Sequence, residues 1–388
     1  MATLSQPEPP EHPELFAQVL SRYESIEGVP VAPLLSGQTL PPGLVQPLGE
    51  GLINETYLVE LPSEQSGSGG QPVRAVLQRV NPIFDRSVHK DIEAVTAHLQ
   101  SQGLVTPRLH RAADGELSVD LGEGGVWRLM TFIPGHSYSR MTPALARPAG
   151  ALVGRFHATL TRLQHRFNFV RPGAHNLFGF MQRLRTAIQS AESGSFTPPE
   201  SPVPADFLPL ARELAHYGQN QQPGAGSSGT VPLRMCHGDL KVSNLRFDDN
   251  GEGVCLLDLD TLGNLPLAFE LGDALRSWCN PTGEDATDAS FNLDIFEEAL
   301  AGYAEPSRTF LTHVEREMLL GGIERITFQL AVRFAIDVVS QSYFRWDKSR
   351  FASRADHNLA RAMGQWQLLR SIAANRTRAQ AILRRVLQ

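Results

Sequence analysis

Cysteine is scarce in this chain of 388 residues: Cys236, Cys255 and Cys279 are the only three, and none stands in a CxxC pair. An odd, scattered set supports neither a disulfide framework nor a thiolate zinc site. It reads as small buried thiols in a reducing compartment. No run of about 18 uncharged apolar residues occurs, which excludes a membrane-spanning helix. The opening residues MATLSQPEPPEHPE offer neither a basic nor an apolar leader region, so no signal peptide is expected and the protein is expected in the cytoplasm. A basic excess is lacking as well: 35 Lys and Arg stand against 41 Asp and Glu, a formal net charge of −6. Nucleic-acid binding, which usually needs a basic surface, is therefore not expected. Any phosphate chemistry has to rest on a few placed cations or a metal. Neither a GxSxG nucleophile elbow nor a Walker A loop occurs.

What is present suits a globular chain. Hydrophobic residues make up 41% and charged residues 20%, ample apolar material for a core, and the length suggests two domains or one two-lobed unit. A short amphipathic helix is expected from Pro13 to Ile26. Strands follow in LVQPLGEGLINETYLVEL (Leu44–Leu61) and PVRAVLQRV (Pro72–Val80), separated by the turn-forming SEQSGSGGQP. Helical spacing of Val88, Ile92, Val95 and Leu99 predicts a helix over 87–102. LVTPRLH, ELSVDL and VWRLMTFIPG read as further strands, the last closed by a Pro-Gly turn. Beyond Gly135 the texture turns helical: Ala144–Gln164, Leu177–Ala191, a helix near Asp206–Tyr217, and long helices near Thr309–Tyr343 and Ala355–Leu387. The expected organisation is a strand-rich lobe over 1–134 and a helical lobe over 135–388 that holds one polar hairpin.

That hairpin carries the chemistry. HGDLKVSN (His237–Asn244) sets a carboxylate, Asp239, five residues before an amide, Asn244. Phosphoryl transfer needs a carboxylate beside the attacking hydroxyl and oxygen ligands for Mg²⁺, and the H-x-D-x-x-x-x-N spacing supplies both. VCLLDLDT (Val254–Thr261) is an apolar strand ending in Asp258 and Asp260, joined to the first segment by the turn-forming FDDNGEG. Pairing the two strands brings Asn244 and Asp258 to one end, an arrangement of hard oxygens suited to Mg²⁺. Both acids end an apolar strand, which argues against ordinary turn acids on a surface hairpin.

HGDLKVSN followed by LLDLDT resembles the aminoglycoside phosphotransferase and choline kinase family. GEGLINETYLV, VLQRVN, DLDT, LGDALR and AVRFAIDVVSQSYF with HNLARAMGQWQLLRS are similar to its N-acetylhexosamine 1-kinase branch. The resemblance implies an α+β, two-lobed protein-kinase-like fold with a small β-rich N-lobe that binds nucleotide and a large, mostly helical C-lobe. It implies Asp239 as catalytic base, also orienting the substrate hydroxyl, and Asn244 and Asp258 as Mg²⁺ ligands, with Asp260 joining the metal shell or binding substrate. GEGLIN would cover the phosphates through Gly49, Gly51 and Asn54. The strand that should carry a phosphate-contacting lysine offers Gln78 or Arg79 instead, and alternation lets only one of them point inward. Glu93 in the following helix is the only obvious partner for such a cation, and equally reads as a solvated helix residue. Asp273 in LGDALR is expected to brace the catalytic loop, His157 to be a packing histidine, and Arg333 to read sugar oxygens. The function implied is transfer of the ATP γ-phosphate, with Mg²⁺, to the anomeric hydroxyl of an N-acetylhexosamine, by a monomer or homodimer. The competing readings are an aminoglycoside- or choline-type alcohol kinase, and a non-catalytic pseudokinase suggested by the absent lysine.

Overall fold

The computed structural model describes residues 13–35, 40–41, 43–48, 53–62, 72–171, 173, 175–194, 201–219 and 231–387. These fall into two units: the residues up to Pro134 together with Leu163–Phe169, and Gly135–Arg162 together with the residues from Val170 onward.

In the first unit α1 spans Pro13–Leu20, a hairpin joins β1 (Ser25–Ile26) to β2 (Val29–Pro30), and β3 (Val45–Pro47), β4 (Glu55–Leu61) and β5 (Val73–Val80) follow. Then come α2 (Val88–Ser101), β6 (Val119–Asp120) and β7 (Val126–Thr131). The helix expected to run to Ile26 ends at Leu20, because Glu27 and Gly28 both take positive φ (47° and 83°) and turn the chain into the β1–β2 hairpin. Strands β3-β4-β5-β7-β6 form one antiparallel sheet in that order. LVTPRLH makes only an isolated bridge, Leu109 to Met130, and of ELSVDL only Val119–Asp120 pairs as a strand. Period-two alternation puts Tyr57, Val59, Ala75, Leu77, Trp127 and Leu129 on one face, where they are buried. Helix α1 covers that face, with Phe16 edge-on to Tyr57 and Trp127 at 4.7 and 5.9 Å between ring centres. The segment Leu163–Phe169 is tied back by the buried Asp91 of α2, which accepts from the amides of Asn168 and Phe169 (each 2.9 Å) and bonds His165 Nε2 at 2.8 Å.

The second unit contains α3 (Pro143–Leu160), α4 (Leu177–Ser193), α5 (Phe207–Gln219), and four short strands, β8 (Arg234–Cys236), β9 (Leu245–Phe247), β10 (Gly253–Leu256) and β11 (Gly263–Leu265). Helices α6 (Leu267–Trp278), α7 (Leu293–Ser307), α8 (His313–Ser340), α9 (Arg354–Ala374) and α10 (Arg376–Val386) complete it. The long C-terminal helix expected from Ala355 is thus two, parted at Asn375, whose side chain turns back to the Ser371 carbonyl. Helix α8 opens on a capping box in which Thr312 and Glu315 satisfy each other's amides. Its middle is buried against α4, α5 and α9 through Phe328, Leu330, Phe334 and Val338. Strands β9 and β10 pair as the expected hairpin, and β8 pairs with β11. At the start of the unit Gly135 takes φ +118°, and a Cβ there would lie 2.2 Å from the Phe247 carbonyl oxygen. Only glycine permits this approach, which lets His136 and Phe247 exchange both backbone hydrogen bonds. All three cysteines are buried and free. No helix of the described residues is long and apolar enough to cross a membrane.

Candidate active site

The loop between β8 and β9 is shaped from below by one carboxylate. Glu270, on the buried face of α6, accepts from the His237 amide at 2.7 Å through Oε1 and from the Gly238 amide at 2.9 Å through Oε2. Burial alone would lift its pKa. The His157 and His237 rings and the Gly238 amide outweigh this and hold it below the usual carboxylate range. His157, bonded to Tyr303 Oη at 3.1 Å, approaches Glu270 Oε1 at 3.4 Å. His157, Cys236 and Glu270 present donor atoms within 4.8 Å of one another, but both Glu270 oxygens are already taken by the loop amides. Expected as the brace, Asp273 does something else: it accepts from Arg276 Nε and Nη2 at 3.0 and 2.8 Å, while Arg276 Nη1 reaches Glu284. The brace is Glu270, nearly one turn earlier on α6.

Three further contacts fix the loop. Gly238 has φ +84°, and a Cβ would stand 2.3 Å from the Thr261 carbonyl oxygen, so the position that carries arginine in the HRD pattern is here closed to any side chain. Thr261 Oγ1 donates to the His237 carbonyl (2.8 Å), and Trp278 Nε1 donates to the Leu240 carbonyl (2.7 Å). His237 is fully buried and its pKa falls, chiefly through burial. The neutral ring that follows can donate from Nε2 to the Leu257 carbonyl and accept the Asp239 amide at Nδ1.

Asp239 is thereby aimed with its carboxylate partly exposed. Lys241 Nζ donates to its Oδ2 at 2.9 Å, and Asn244 Nδ2 donates to its backbone oxygen (2.8 Å) and to Oδ2 (3.1 Å). Burial pushes the Asp239 carboxyl up, but Lys241, His237 and Arg276 pull it further down, below its ordinary range. Lys241 in turn is held above the usual lysine value: burial opposes its charge, but Asp239 and Asp258 favour it more. With the amide nitrogen engaged, Asn244 has its side-chain oxygen to offer a cation. The Leu257 amide donates to the Asn244 carbonyl at 2.8 Å, so Asn244 and Asp258 stand at the same end of the β9–β10 hairpin. Asp258 sits in the left-handed region (φ 61°), and Asp260 is buried in the single helical turn Leu259–Thr261 that follows. These oxygens fit a hard cation such as Mg²⁺.

Cations surround the carboxylate. Burial draws the Arg171 pKa down and nearby Asp239 partly restores it. Arg333 on α8 lies over the rings of Phe180, Tyr343 and Phe344 at 5.7, 5.4 and 5.4 Å. Arg171 lies over Tyr343 as well, at 5.6 Å. Burial, then the charge of Arg171, bring the Arg333 pKa down to about 10. Among the described residues no hydrogen-bond acceptor meets its guanidinium. His175 is half-buried, and its desolvation, followed by the charge of Arg333, draws its pKa down to about 4. Sequence reasoning assigned roles to neither Lys241 nor Arg171 nor Glu270. Lys241 was visible two residues after Asp239. The Arg171 loop and the Glu270 helix gain their meaning only from tertiary contacts.

In the sheet unit, Gly49 and Gly51 lie outside the described residues. Asn54 is buried and accepts from the Asn81 amide at 2.9 Å. Gln78 and Arg79 diverge. Arg79 turns to Glu55 (3.0 Å) and to the Gly124 carbonyl (3.1 Å), whereas Gln78 occupies the opposite face. Glu93 meets neither of them, since Arg108 and Arg111 pair with it at 3.3 and 3.2 Å.

Known structures share this fold. An aminoglycoside phosphotransferase from Alicyclobacillus acidocaldarius matches at a TM-score of 0.55 and 14% identity, over 98% of this chain and 99% of that one. A choline kinase from Cryptosporidium parvum matches at 0.54 and 12%, over 92% and 97%. An amicoumacin kinase in complex with AMP-PNP and Ca²⁺ matches at 0.51 and 15%, over 84% and 89%. At such identities the likeness is one of fold: a kinase-like fold with a small β-sheet region followed by a helical one. The family model described as "phosphotransferase enzyme family" matches residues 44–307, more than half of the chain. The protein belongs to the phosphotransferase enzyme family.

Proposed function

We propose that the protein transfers the γ-phosphoryl group of ATP to the anomeric hydroxyl of an N-acetylhexosamine. The observation that carries this reading is the Asp239 carboxylate, kept ionised by Lys241 on a loop braced from α6. Such a carboxylate can accept the proton of a hydroxyl as it attacks phosphorus, and can orient that hydroxyl beforehand. Asn244 and Asp258, with Asp260 behind them, would hold Mg²⁺, which supplies charge neutralisation at the phosphates when bound. Binding of AMP-PNP and Ca²⁺ by the amicoumacin kinase supports nucleotide and divalent-metal use. The joint presence of Asp239, Asn244 and Asp258 weighs against a pseudokinase.

The acceptor class follows from charge. A choline or aminoglycoside acceptor is a cation and calls for free acids or bare aromatic faces. Here Asp273 and Glu284 are occupied by Arg276, and the aromatic faces of Tyr343 and Phe344 are covered by Arg333. Arginine donors suit the hydroxyl and amide oxygens of an uncharged N-acetylated sugar.

Asp239→Asn should lower turnover by about 10²–10⁴-fold, the usual size of a general-base contribution, with nucleotide affinity retained. Near-normal turnover would remove Asp239 from the mechanism. Because Lys241 holds the Asp239 pKa down against burial, Lys241→Met should raise it. The active carboxylate is then lost sooner on acidification, and the acid limb of the kcat/KM profile should move to higher pH. A limb that stays in place would contradict this role for Lys241. Arg333→Ala should weaken sugar binding by roughly ten- to a hundredfold and leave ATP affinity unchanged. Equal losses for both ligands, or none, would show that Arg333 does not read the acceptor.

A further inference from the structure

The helical unit gathers more positive charge around Arg333 than the oxygens of an uncharged sugar require. Arg171 and Arg333 lie over one ring, that of Tyr343, at 5.6 and 5.4 Å. Four residues after Arg171 comes His175, whose ring centre stands 5.4 Å from that of Phe269 on α6. Arg325, a little over two turns before Arg333 on α8, lies over the same Phe269 ring at 5.2 Å. Two aromatic rings thus carry three guanidinium groups and an imidazole. All four of these basic residues retain some exposure, so the cluster is open to solvent.

Compensating charge is missing. Among the described residues no carboxylate pairs with Arg171, Arg325 or Arg333, and Arg325 Nε and His175 Nδ1 are buried without a hydrogen-bond partner. The acids whose fields reach the cluster are engaged elsewhere: Asp273 and Glu284 by Arg276, Glu270 by the loop amides, and Asp239 by Lys241. An aromatic face attracts a cation but does not neutralise it. His175 registers the crowding. After burial, the charges of Arg333, Arg325 and Arg171 lower its pKa against the pull of Glu270. We propose that Arg171, His175, Arg325 and Arg333 form one site for an oxyanion, a carboxylate or a group of sulfate or phosphate type. A guanidinium fork takes two oxygens of such a group at once. The anion is either part of the acceptor, which is then an acidic N-acetylhexosamine, or free in solution. The first source rests on the phosphotransferase reading, whereas the anion site itself does not.

An anion in this site gives His175 the opposite charge it lacks, so binding raises the His175 pKa, and by linkage a lower pH tightens binding. Sulfate, whose own charge stays constant over the range, is the probe. Calorimetry and NMR titration of the imidazole protons in the full-length protein, with His175→Asn to assign the signal, read both effects. Saturating sulfate should lift the His175 pKa from about 4, and sulfate should bind more tightly as the pH falls. Arg325→Gln should weaken sulfate binding by roughly 10- to 100-fold, as expected for loss of a charged hydrogen-bond donor. Should that variant fail to fold, Arg171→Gln should weaken it in the same direction. N-acetylglucosamine compared with its 6-carboxylate separates the two sources. Tighter binding of the carboxylate, lost in Arg325→Gln, puts the anion on the acceptor. Equal binding of the two sugars, with sulfate still bound, puts it in solution. A His175 pKa unmoved by sulfate and by the carboxylate, or affinities indifferent to both arginine variants, would overturn the anion site. Phosphorylation of neither sugar, with sulfate binding intact, would instead contradict the reading of the protein as a sugar kinase and leave the anion site standing.

Discussion

Two backbone N–H groups resting on one buried carboxylate govern the polar half of this protein. Removing Glu270 from water costs several kcal/mol unless its oxygens are fully paired, and the His237 and Gly238 amides, with His157, supply that pairing. The amides need it equally, because a loop with Gly238 at positive φ has no ladder in which to satisfy them. Each side therefore positions the other. Helix α6 then grips the loop a second time, a little over two turns on, where Trp278 holds the Leu240 carbonyl. Asp239 lies between these two anchors, and its direction follows from them.

The second constraint is electrostatic, and it is local. The chain as a whole is mildly acidic, yet the surroundings of Asp239 are rich in guanidinium groups. Arg276 is neutralised by Asp273 and Glu284, and burial together with the Asp239 charge lifts the Asp273 pKa. Arg171 and Arg333 are stacked on aromatic faces, where a desolvated guanidinium keeps its planar edge for oxygen atoms. A net charge of −6 over the whole chain says nothing of this local concentration.

Much of this was legible in sequence, wherever the information is local. The β9–β10 hairpin was readable because Asp239, Asn244 and Asp258 fall within about twenty residues joined by strong turn chemistry. The sheet strands were readable from period-two alternation, and α2 from four apolar residues at helical spacing. The misreadings have equally physical origins. The Glu27–Gly28 turn lacks the Asn-Gly or Asp-Gly signature, so the sequence carries no strong hairpin signal after α1. Asp273 in LGDALR reads as the brace, whereas Glu270 shares the apolar face of α6 with Leu267 and Leu271. An acid on that buried face was the available signal. Arg128 sits in the apolar run VWRLMT, and only strand pairing shows that it meets Gln78.

The identity of the transferred linkage tests the central claim most directly. Incubation with ATP, Mg²⁺ and N-acetylglucosamine or N-acetylgalactosamine, followed by phosphorus NMR, reads it. The account predicts one new phosphomonoester whose phosphorus couples to the anomeric proton, formed in step with ADP. Phosphorus on another carbon, or ATP left unconsumed by these sugars while an aminoglycoside or amino alcohol is phosphorylated, would contradict it.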